Sequence, residues 1–373
     1  MNDKHIRILY TIPNFNTAGS GKSVYDLVSG LDRSIFEPEI CCFHNKGAFF
    51  KEVEALGVKI HIFPFTSAYK PRLGFLSRVF KIRNFFKTHQ FDVIHSWHWS
   101  SDISEPLAAK LAGIPYVYTK KAMGWESRYW KWRSQLSSKV IVVNEDMMSF
   151  YFSKMLHKAV QFPLAIDVNR YQPTLGSDVM REQLGLSVND FVIISVANLV
   201  EVKGIETLLD AVNQLDNPKI KVLVVGGDSS DYAVMLKSKY KAYSHIKFIG
   251  KQLDVRPYLA LSDLFVIPTK DEGRREGIPN APLEAMAMNR IVLGSNISGI
   301  RDILKVFPDC MFQADDISDL KDKIKTIMNL SEDKRLALET QMRRRVVDEF
   351  SIEDFIERHQ SLYQELVKSN LSS

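Results

Sequence analysis

The chain of 373 residues is longer than one ordinary hydrophobic core supports, so we expect two domains. Its 45% hydrophobic and 25% charged residues exclude a largely disordered protein. The net charge of +5 is unevenly distributed: residues 1–170 carry 23 Lys and Arg against 14 Asp and Glu, a net of +9, and the remainder carries 26 against 30, a net of −4.

The basic first half predicts an anionic partner, such as lipid headgroups, an anionic glycan or a lipid diphosphate. Nucleic acid is a weaker alternative, because no DNA- or RNA-binding motif accompanies the charge. The first residues lead into a predicted strand without the pattern of a signal peptide, and no window of roughly 18 apolar residues predicts a membrane span. We therefore expect a cytoplasmic protein, or one that lies on the inner face of the cytoplasmic membrane.

Short apolar runs alternate with amphipathic stretches along the first half. Each run is continuous in polarity, as in parallel strands that are buried on both faces. The alternation predicts βαβ units and hence a doubly wound α/β sheet. The predicted strands are 6–13, 39–43, 58–63, 92–95, 116–119 and 139–144, and the predicted helices are 21–31, 48–56, 74–88 and 103–112.

A glycine-rich segment, NFNTAGSGKSV at 14–24, follows the first predicted strand and opens a helix. Its GSGKS run is similar to a Walker A loop, but that motif has glycine where Asn16 stands here. The departure disfavours a P-loop enzyme that hydrolyses nucleotides. Gly19 and Gly21 still allow close backbone approach to a ligand.

The segment KPRLGFLSRVFKIRNFFK at 70–87 is basic and amphipathic. Such a helix can lie on a membrane surface and is also where the fold needs a helix to cover the sheet, and we favour a helix that does both. The segment DVIHSWHWSSD at 92–102 follows a strand, so we expect its side chains at the ligand-binding edge of the sheet. His98 either contacts a sugar or is structural there, and Trp97 and Trp99 either stack on a pyranose or pack in the core.

TKKAMGWESRYWKWRS at 119–134 is rich in Lys, Arg and aromatic residues after a strand. Lys120, Lys121 and Arg128 predict a site for an anionic acceptor. A solvated basic face is the alternative.

The strand–helix pattern starts again after Pro163, Pro173 and Gly176, which indicate a domain boundary. We predict one Rossmann-like domain over 1–170, a second over 171–350, and a terminal helix over 351–373 that packs back towards the first domain. The second set of predicted strands is 191–197, 221–226, 246–250, 264–268 and 291–295.

The segment PTKDEGRREGIPNAPLEAMAMNR at 268–290 follows a strand and leads into a helix, for which Asn280 is the expected N-cap. Unpaired N–H groups at a helix N-terminus suit a phosphate. Glu276 precedes the helix and Glu284 lies within it, where a carboxylate can accept both hydroxyls of a sugar diol. A capped helix with surface acids is the alternative.

Lys203 and Gly204 lie in the loop after strand 191–197, just before a predicted helix. A lysine there provides a point charge that suits a phosphate. In isolation, a Lys-Gly pair after a strand is also typical of an ordinary turn.

Together these segments resemble the retaining glycosyltransferases of family 4, which have the GT-B fold. The family's signature of two glutamates separated by seven residues stands here as Glu276-Gly277-Ile278-Pro279 through Glu284-Ala285-Met286-Ala287. Lys203-Gly204, VVGGD at 224–228 and FIG at 248–250 occupy the places that the family gives them. The resemblance implies two Rossmann-like doubly wound domains facing a central cleft, the first binding the acceptor and the second the nucleotide sugar.

The resemblance also implies roles for individual residues. Glu276 would hold the donor sugar, Glu284 the ribose hydroxyls, and Lys203 the diphosphate. Asn198 stands where the family often has arginine, so another cation is needed, and Arg274 and Arg275 are candidates. The remaining donor contacts would come from Gly19, Gly21, Gly277, Ile278, Asn280, Gly250 and Lys251, the catalytic histidine would be His98, and the acceptor would meet Trp97, Trp99, Lys120, Lys121 and Arg128.

The implied reaction transfers a sugar from a UDP- or GDP-sugar to a glycan or lipid-linked acceptor with retention, in surface-polysaccharide or lipopolysaccharide biosynthesis. No Asp-x-Asp motif is placed to hold a metal, so we expect no metal or other cofactor. The alternatives are another GT-B enzyme of sugar nucleotides, such as an epimerase, and a non-catalytic nucleotide-sugar binding module.

Overall fold

The computed structural model describes residues 5–16, 18–125, 127–227, 229–272 and 277–371. The chain forms two compact units, Met1–Leu164 with Ile352–Ser373, and Ala165–Ser351. The boundary thus precedes the one drawn from sequence at 170/171. Ile166 donates its N–H to the carbonyl of Phe350 at 3.0 Å and bridges to Ser351, so this stretch pairs with the second unit.

The first unit is built on a seven-stranded sheet in the order β3-β2-β1-β4-β5-β6-β7. All neighbouring strands are parallel, which confirms the prediction from continuous apolar runs. The strands are β1 (Ile6–Thr11), β2 (Phe36–Cys42), β3 (Ile60–Ile62), β4 (Val93–Ser96), β5 (Tyr116–Lys120), β6 (Lys139–Val142) and β7 (Ala159–Gln161). The helices are α1 (Ala18–Gly30), α2 (Phe50–Glu54), α3 (Phe75–His89), α4 (Ser104–Ala112), α5 (Arg128–Leu136), α6 (Glu145–Phe152) and the terminal α15 (Ile352–Leu371), with a 3₁₀ turn at Leu156–Lys158.

The second unit repeats the plan with six parallel strands in the order β10-β9-β8-β11-β12-β13. The strands are β8 (Phe191–Val196), β9 (Ile220–Val225), β10 (Ile246–Gly250), β11 (Leu264–Ile267), β12 (Ile291–Ser295) and β13 (Met311–Phe312). The helices are α7 (Asp178–Gln183), α8 (Ile205–Leu215), α9 (Asp231–Lys239), α10 (Arg256–Leu261), α11 (Asn280–Ala287), α12 (Ile300–Leu304), α13 (Ile317–Met328) and α14 (Glu332–Glu349), with 3₁₀ turns at Glu201–Lys203 and Pro308–Cys310. No helix in the described part of the chain combines the length and apolarity needed to cross a membrane.

Each sheet reverses its direction of growth once. The first extends from β1 to β2 and β3, then continues on the other side of β1 with β4. The second does the same from β8, with β11 on its other side. In doubly wound folds, ligands bind at the carboxyl ends of the strands that flank this switch point. We therefore expect a ligand-binding site at the loops that follow β1, β4, β8 and β11.

The terminal helix α15 packs on the first sheet. Its Leu362 and Leu366 form a buried apolar cluster with Val117 and Ile141. Burying this apolar stripe stabilises the helix far more than its intrinsic propensity does. The helix therefore belongs to the first unit, although it is the last element of the chain.

Two histidines lie in the interface between α15 and the sheet. His95 on β4 is fully buried, with Nδ1 at 2.7 Å from the Tyr363 hydroxyl and Nε2 at 2.8 Å from the Thr119 hydroxyl. His359 is also fully buried, and its Nδ1 lies 2.7 Å from the carbonyl of Phe355. Burial lowers the pKa of both rings, that of His359 to about 4 and that of His95 well below its usual value.

These rings predict a loss of stability in acid. A base whose folded-state pKa is depressed stays neutral in the folded state, while the unfolded state binds a proton below about pH 6.5. For His359, the free energy of unfolding is therefore unaffected by this titration above pH 6.5. Below pH 6.5 it falls by about 1.4 kcal/mol per pH unit until pH 4. His359→Phe keeps a packed ring and removes this titration, so its free energy of unfolding should fall less steeply than the wild type's between pH 6.5 and 4.

The measurement is urea unfolding followed by tryptophan fluorescence, because all five tryptophans lie in the first unit. His157→Phe, at an exposed position, is the matched control and should keep the wild-type slope. Equal slopes for wild type and His359→Phe would show that His359 is not buried as a neutral ring.

Candidate active site

The loop after β8 is fixed against the segment after β11. Gly204 has φ of 59°, in the left-handed region, and a Cβ at this position would lie 2.2 Å from the carbonyl oxygen of Pro268. Only glycine allows two backbone segments this close. Lys270 then donates its backbone N–H to the carbonyl of Val202 at 2.9 Å. The turn that carries Lys203 is thus held at the switch point of the second sheet.

Lys270 beside this turn is neutralised locally. Its Nζ lies 2.8 Å from Glu206 Oε1, and the hydrogen bond with Glu206 raises the pKa of Lys270. The hydroxyl of Tyr232 also donates to Glu206 and accepts the backbone N–H of Ile205 at 3.0 Å. Lys270 therefore stabilises the start of α8 and supplies no net charge to the turn that carries Lys203.

The helix α11 begins at Asn280, with Pro279 in the N-cap position and no side-chain cap. The expectation that Asn280 caps the helix is wrong, because the rigid φ of Pro279 starts the helix one residue earlier. Gly277 and Ile278 are buried in front of the helix, and Asn280 is exposed. Glu276, Arg274 and Arg275 lie outside the described residues, and their roles stay predictions.

Glu284 lies in the second turn of α11 and is partly buried. The hydroxyl of Tyr171 donates to its carboxylate. Burial raises the pKa of Glu284, while the Tyr171 hydrogen bond and the positive charge of Arg170 act to lower it. A carboxylate that already accepts one hydroxyl still has acceptor positions for others, as recognition of a diol requires.

A cavity of about 500 Å³ opens beside Tyr171, lined in part by Arg170, Asp254 and Arg256. Asp254 and Arg256 form a bidentate pair, with Arg256 Nε at 2.8 Å from Oδ1 and its second nitrogen at 2.6 Å from Oδ2. Sequence reasoning missed these residues. In the sequence, Asp254 could have been found from its position shortly after Gly250. Arg170 could not, because residues 169–174 are interpreted as part of a domain boundary.

The ends of β8, β9 and β10 meet through glycines. Gly226 donates its N–H to the carbonyl of Gly250 at 3.1 Å, and a Cβ on Gly226 would lie 2.0 Å from the carbonyl oxygen of Ala197. Asn198 and Lys251 follow these strand ends and are both exposed. The structure therefore brings the sequence-predicted positions 198, 203, 250 and 251 to the carboxyl edge of one sheet.

A buried charge pair organises the corresponding edge of the first sheet. Glu105 of α4 accepts hydroxyl hydrogen bonds from Thr11 at the end of β1, and from Ser96 at the end of β4 and Tyr116, both at 2.8 Å. Its Oε2 lies 3.6 Å from the guanidinium of Arg133. Burial raises the pKa of Glu105 to about 7, against the opposing effect of Arg133 and the hydroxyls.

Arg133 carries this organisation into the loop after β4. Its guanidinium donates to the carbonyls of His98, at 3.3 Å, and Ser100, and to the Ser96 hydroxyl at 3.0 Å. The side chain is fully buried. Sequence reasoning did not identify Arg133 or Glu105, since nothing in a local pattern shows that two distant charges will pair in the interior.

His98 is held neutral by this environment. Burial lowers its pKa to about 3, and the charges of Arg133 and Lys121 contribute. Its Nδ1 lies 3.1 Å from the Ser100 hydroxyl, and the ring packs edge-on against Phe65 at 5.8 Å. Within the described residues no partner contacts Nε2, so that nitrogen can exchange a hydrogen bond with a ligand hydroxyl but carries no charge at neutral pH.

Lys121 joins this loop to the start of α1. Its Nζ donates to the Ser20 hydroxyl at 2.7 Å and to the carbonyl of Trp97 at 2.8 Å, and lies 5.4 Å from the ring of Trp99. Residues of the segments 14–24, 92–102 and 119–134 therefore lie together at one edge of the first sheet. Trp99 is half exposed beside them.

Two acceptor predictions are wrong. Trp97 is fully buried and cannot stack on a pyranose. Lys120 is buried as well, and its Nζ donates to the carbonyl of Ala122 at 2.5 Å and lies 4.2 Å from the ring of Trp130. The register of β4 and β5 puts the two side chains on opposite faces of the sheet, and both faces are covered by helices. Arg128 is exposed over the ring of Trp132.

The glycine-rich segment is helical from Ala18 onward, where α1 begins, so both of its glycines lie within the helix. A Cβ on Gly21 would lie 2.9 Å from the ring of Phe15, so this glycine serves packing within the unit. Lys22 pairs with Asp26 and lies 5.1 Å over the ring of Tyr25. This arrangement does not support the P-loop alternative, which needs an open loop and a lysine directed at phosphate.

Two protein-family models match the chain, one in each half. The family model described as "Glycosyltransferase Family 4" matches residues 17–170, and that described as "Glycosyl transferases group 1" matches residues 177–345. A relative from Escherichia coli named UDP-Gal:alpha-D-GlcNAc-diphosphoundecaprenol alpha-1,3-galactosyltransferase is 26% identical over 75% of this chain and 77% of its own.

Two further similarities cover most of the chain. The capsular polysaccharide biosynthesis glycosyltransferase CapH of Staphylococcus aureus is 24% identical over 83% of this chain and 86% of its own. The crystal structure of a glycosyltransferase from Rickettsia africae superposes with a TM-score of 0.85 at 18% identity, covering 98% of this chain and 99% of that one.

Gly204→Ala should damage the second unit more than its backbone angle alone explains. Alanine in the left-handed region costs roughly 1 to 2 kcal/mol, and here the Pro268 carbonyl must also move. Gly185 has nearly the same φ, 58°, with only the end of the Lys247 side chain near a Cβ at 3.9 Å. Gly185→Ala should therefore lose stability through the backbone angle alone, without a steric clash.

The measurement is thermal unfolding of both variants by calorimetry. We expect Gly204→Ala to lower the free energy of unfolding clearly more than Gly185→Ala does. Equal losses would mean that the contact between Gly204 and Pro268 does not constrain the loop.

Proposed function

The chain belongs to family 4 of the GT-B glycosyltransferases, and we propose that it transfers a sugar from a nucleoside-diphosphate sugar to a lipid-linked glycan in surface-polysaccharide biosynthesis, with retention of anomeric configuration. The observation that carries the proposal is the convergence of the Lys203 turn, the start of α11 and the Glu284 carboxylate at the switch point of the second sheet. A lysine, a helix N-terminus and a diol-binding carboxylate match a diphosphate and its ribose in turn.

The donor diphosphate is the leaving group, so negative charge develops on it during transfer. Lys203 and the N-terminal end of α11 would stabilise that charge from fixed positions. Glu276 would hold the donor sugar, as its place in the family motif predicts. We propose that these protein groups replace a divalent metal, so that transfer continues in EDTA.

The donor base in the proposal is uracil, with guanine as the alternative. The support is the Escherichia coli relative, whose name states a UDP-galactose donor. The same name states a diphosphoundecaprenol acceptor, and the Staphylococcus aureus relative is named for capsular polysaccharide biosynthesis. These names support a lipid-linked acceptor and a location at a membrane surface.

The acceptor side of the proposal lies on the first unit. The neutral His98 Nε2 would accept from or donate to a sugar hydroxyl, and Lys121 would attract an acceptor diphosphate. Trp99 is exposed beside them and can stack on a sugar ring. An epimerase would convert the donor without an acceptor, and a binding module would leave it unchanged, so product analysis with and without acceptor separates the three.

Lys203→Ala should weaken binding of UDP by about tenfold, the loss of one charge-assisted contact of about 1.4 kcal/mol, while uridine binding stays unchanged. Titration calorimetry measures both ligands. Lys219→Ala is the control, because Lys219 is exposed at the amino end of the same sheet. Equal UDP affinity in Lys203→Ala and wild type would remove Lys203 from the diphosphate site.

Glu284→Gln should weaken UDP binding through the ribose. The expected partner is a ribose hydroxyl, so the variant and a UDP lacking both ribose hydroxyls should each lose affinity, and their combination should lose no more than either alone. Additive losses in this double-mutant cycle would place Glu284 away from the ribose. Calorimetry across UDP-, GDP- and ADP-sugars, followed by product chromatography, identifies the donor first.

A further inference from the structure

The segment between Glu54 and Asp92 contains no acidic residue. Residues 55–91 carry seven Lys and Arg, at positions 59, 70, 72, 78, 81, 83 and 87. A run of this length with one sign of charge creates a local positive potential that reaches about a Debye length from the surface. It includes all of α3 and the loop before it.

The outer face of α3 is apolar. Leu76 and Phe80 are 60% and 45% exposed and lie four residues apart on one side of the helix, and Leu73, in the loop before it, is 92% exposed. The inner side already buries Phe75, Val79, Ile82 and Phe86. A helix that only covers its own sheet needs one apolar face, so the second one has a different use.

Leu73 is exposed on a loop that is held in place. Arg78 donates to the Ser67 hydroxyl at 2.8 Å, and to the carbonyls of Ala68 at 3.1 Å and Pro71 at 2.8 Å. These bonds fix residues 67–73 against the first turn of α3. The leucine is therefore presented to solvent by an ordered segment.

Arginines flank the apolar face. The guanidinium of Arg83 lies 5.7 Å from the ring of Phe80, and that of Arg72 lies 5.7 Å from the ring of Tyr69. Arginine and lysine beside exposed apolar and aromatic groups are typical of helices that lie in the headgroup layer of anionic bilayers.

Aromatic residues continue the surface onto α5. The ring of Tyr69 lies 5.7 Å from that of Tyr129, which lies 5.4 Å from that of Trp132. Trp132 is 38% exposed, and the Arg128 guanidinium lies 5.3 Å from its ring. Tyrosine and tryptophan favour the boundary between water and lipid, where the ring is buried and the polar end stays wet.

The same loop touches the acceptor side of the candidate active site. Ser67 donates its N–H to the Ser104 hydroxyl at 2.7 Å, at the start of α4. Phe65 packs on the ring of His98 at 5.8 Å between centroids. The loop that presents Leu73 is therefore linked by direct contacts to the edge of the sheet that carries His98.

We propose that Leu73, Leu76 and Phe80, flanked by Arg72, Arg83 and Lys87, form a docking surface for an anionic lipid bilayer. This surface rests on the proposed function, because a lipid-linked acceptor is reached at a membrane. The three apolar side chains insert among the headgroups, and the basic residues bind lipid phosphates. The docked first unit then presents the His98 edge to the acceptor.

The test is sedimentation of the full chain with vesicles of phosphatidylglycerol and phosphatidylcholine, and with vesicles of phosphatidylcholine alone. We expect binding to the anionic vesicles, weakened by salt, and little binding to the neutral ones. The triple variant Leu73→Ser, Leu76→Ser, Phe80→Ser should lower the partition coefficient by about tenfold or more, because three apolar side chains no longer leave water. Arg83→Gln with Lys87→Gln should lower the binding and its salt dependence.

The matched control replaces three exposed apolar residues of the second unit, Leu175→Ser, Val188→Ser and Leu253→Ser, and should bind as the wild type does. Urea unfolding by tryptophan fluorescence verifies that the first unit is folded in each variant, and Leu73→Ser alone is used if the triple variant is not. Donor binding by calorimetry without lipid is expected to be unchanged.

Wild-type donor binding without vesicle binding would overturn the docking surface and leave the proposed function intact. Vesicle binding without transfer from any donor would do the reverse. A dimer in lipid-free solution that the triple variant dissociates would overturn the proposal in favour of contact between copies of the chain. Unchanged vesicle binding by the triple variant would also overturn it.

Discussion

Parallel strands leave this chain only one kind of place for a polar site. Within each sheet the described strands are covered by helices and run in the same direction, so their carboxyl ends lie at one edge of that sheet. Where growth of the sheet reverses, between β1 and β4 and between β8 and β11, the chain leaves neighbouring strands in opposite directions. The gap between those loops exposes backbone groups and side chains from both strands. Lys203, Glu284 and His98 all follow strands that flank such a gap.

Different interactions fix the loops at the two switch points. In the first unit, Glu105 accepts hydrogen bonds from hydroxyls on neighbouring strands. Arg133 donates hydrogen bonds to carbonyls of the loop that carries His98. Removing either partner would leave an uncompensated buried charge, which is among the most destabilising changes a core can suffer. In the second unit the constraint is the absence of a side chain, since Gly204 lets the Lys203 turn rest on the Pro268 carbonyl. The first arrangement sets the polarity around a histidine, and the second sets the distance between two loops.

Sequence patterns predicted the repeated βαβ architecture because buried parallel strands are long continuous apolar runs. They missed β7 and β13, which have three and two residues and too few apolar side chains to stand out. Motif positions placed Lys203 and Glu284 at the correct edge. They failed for Trp97 and Lys120, because whether a residue at a strand end faces the ligand or the interior depends on the pleat. Tyr171 contacts Glu284 and Arg133 contacts Glu105, in each case far along the chain, so no local spacing shows them.

The division of charge between the two halves fits two modes of recognition. The half that contains the Lys203 site has a net charge of −4, although its proposed ligand is an anion. Recognition there must rely on short-range groups, a single lysine, a helix N-terminus and a diol-binding carboxylate, which discriminate by geometry. The first half has a net charge of +9 and carries the acid-free segment around α3. Long-range attraction of that kind selects a surface rather than a particular small molecule, and it acts before any contact forms. For the proposed enzyme, with a dissolved donor and a membrane-bound acceptor, each mode serves one of the two substrates.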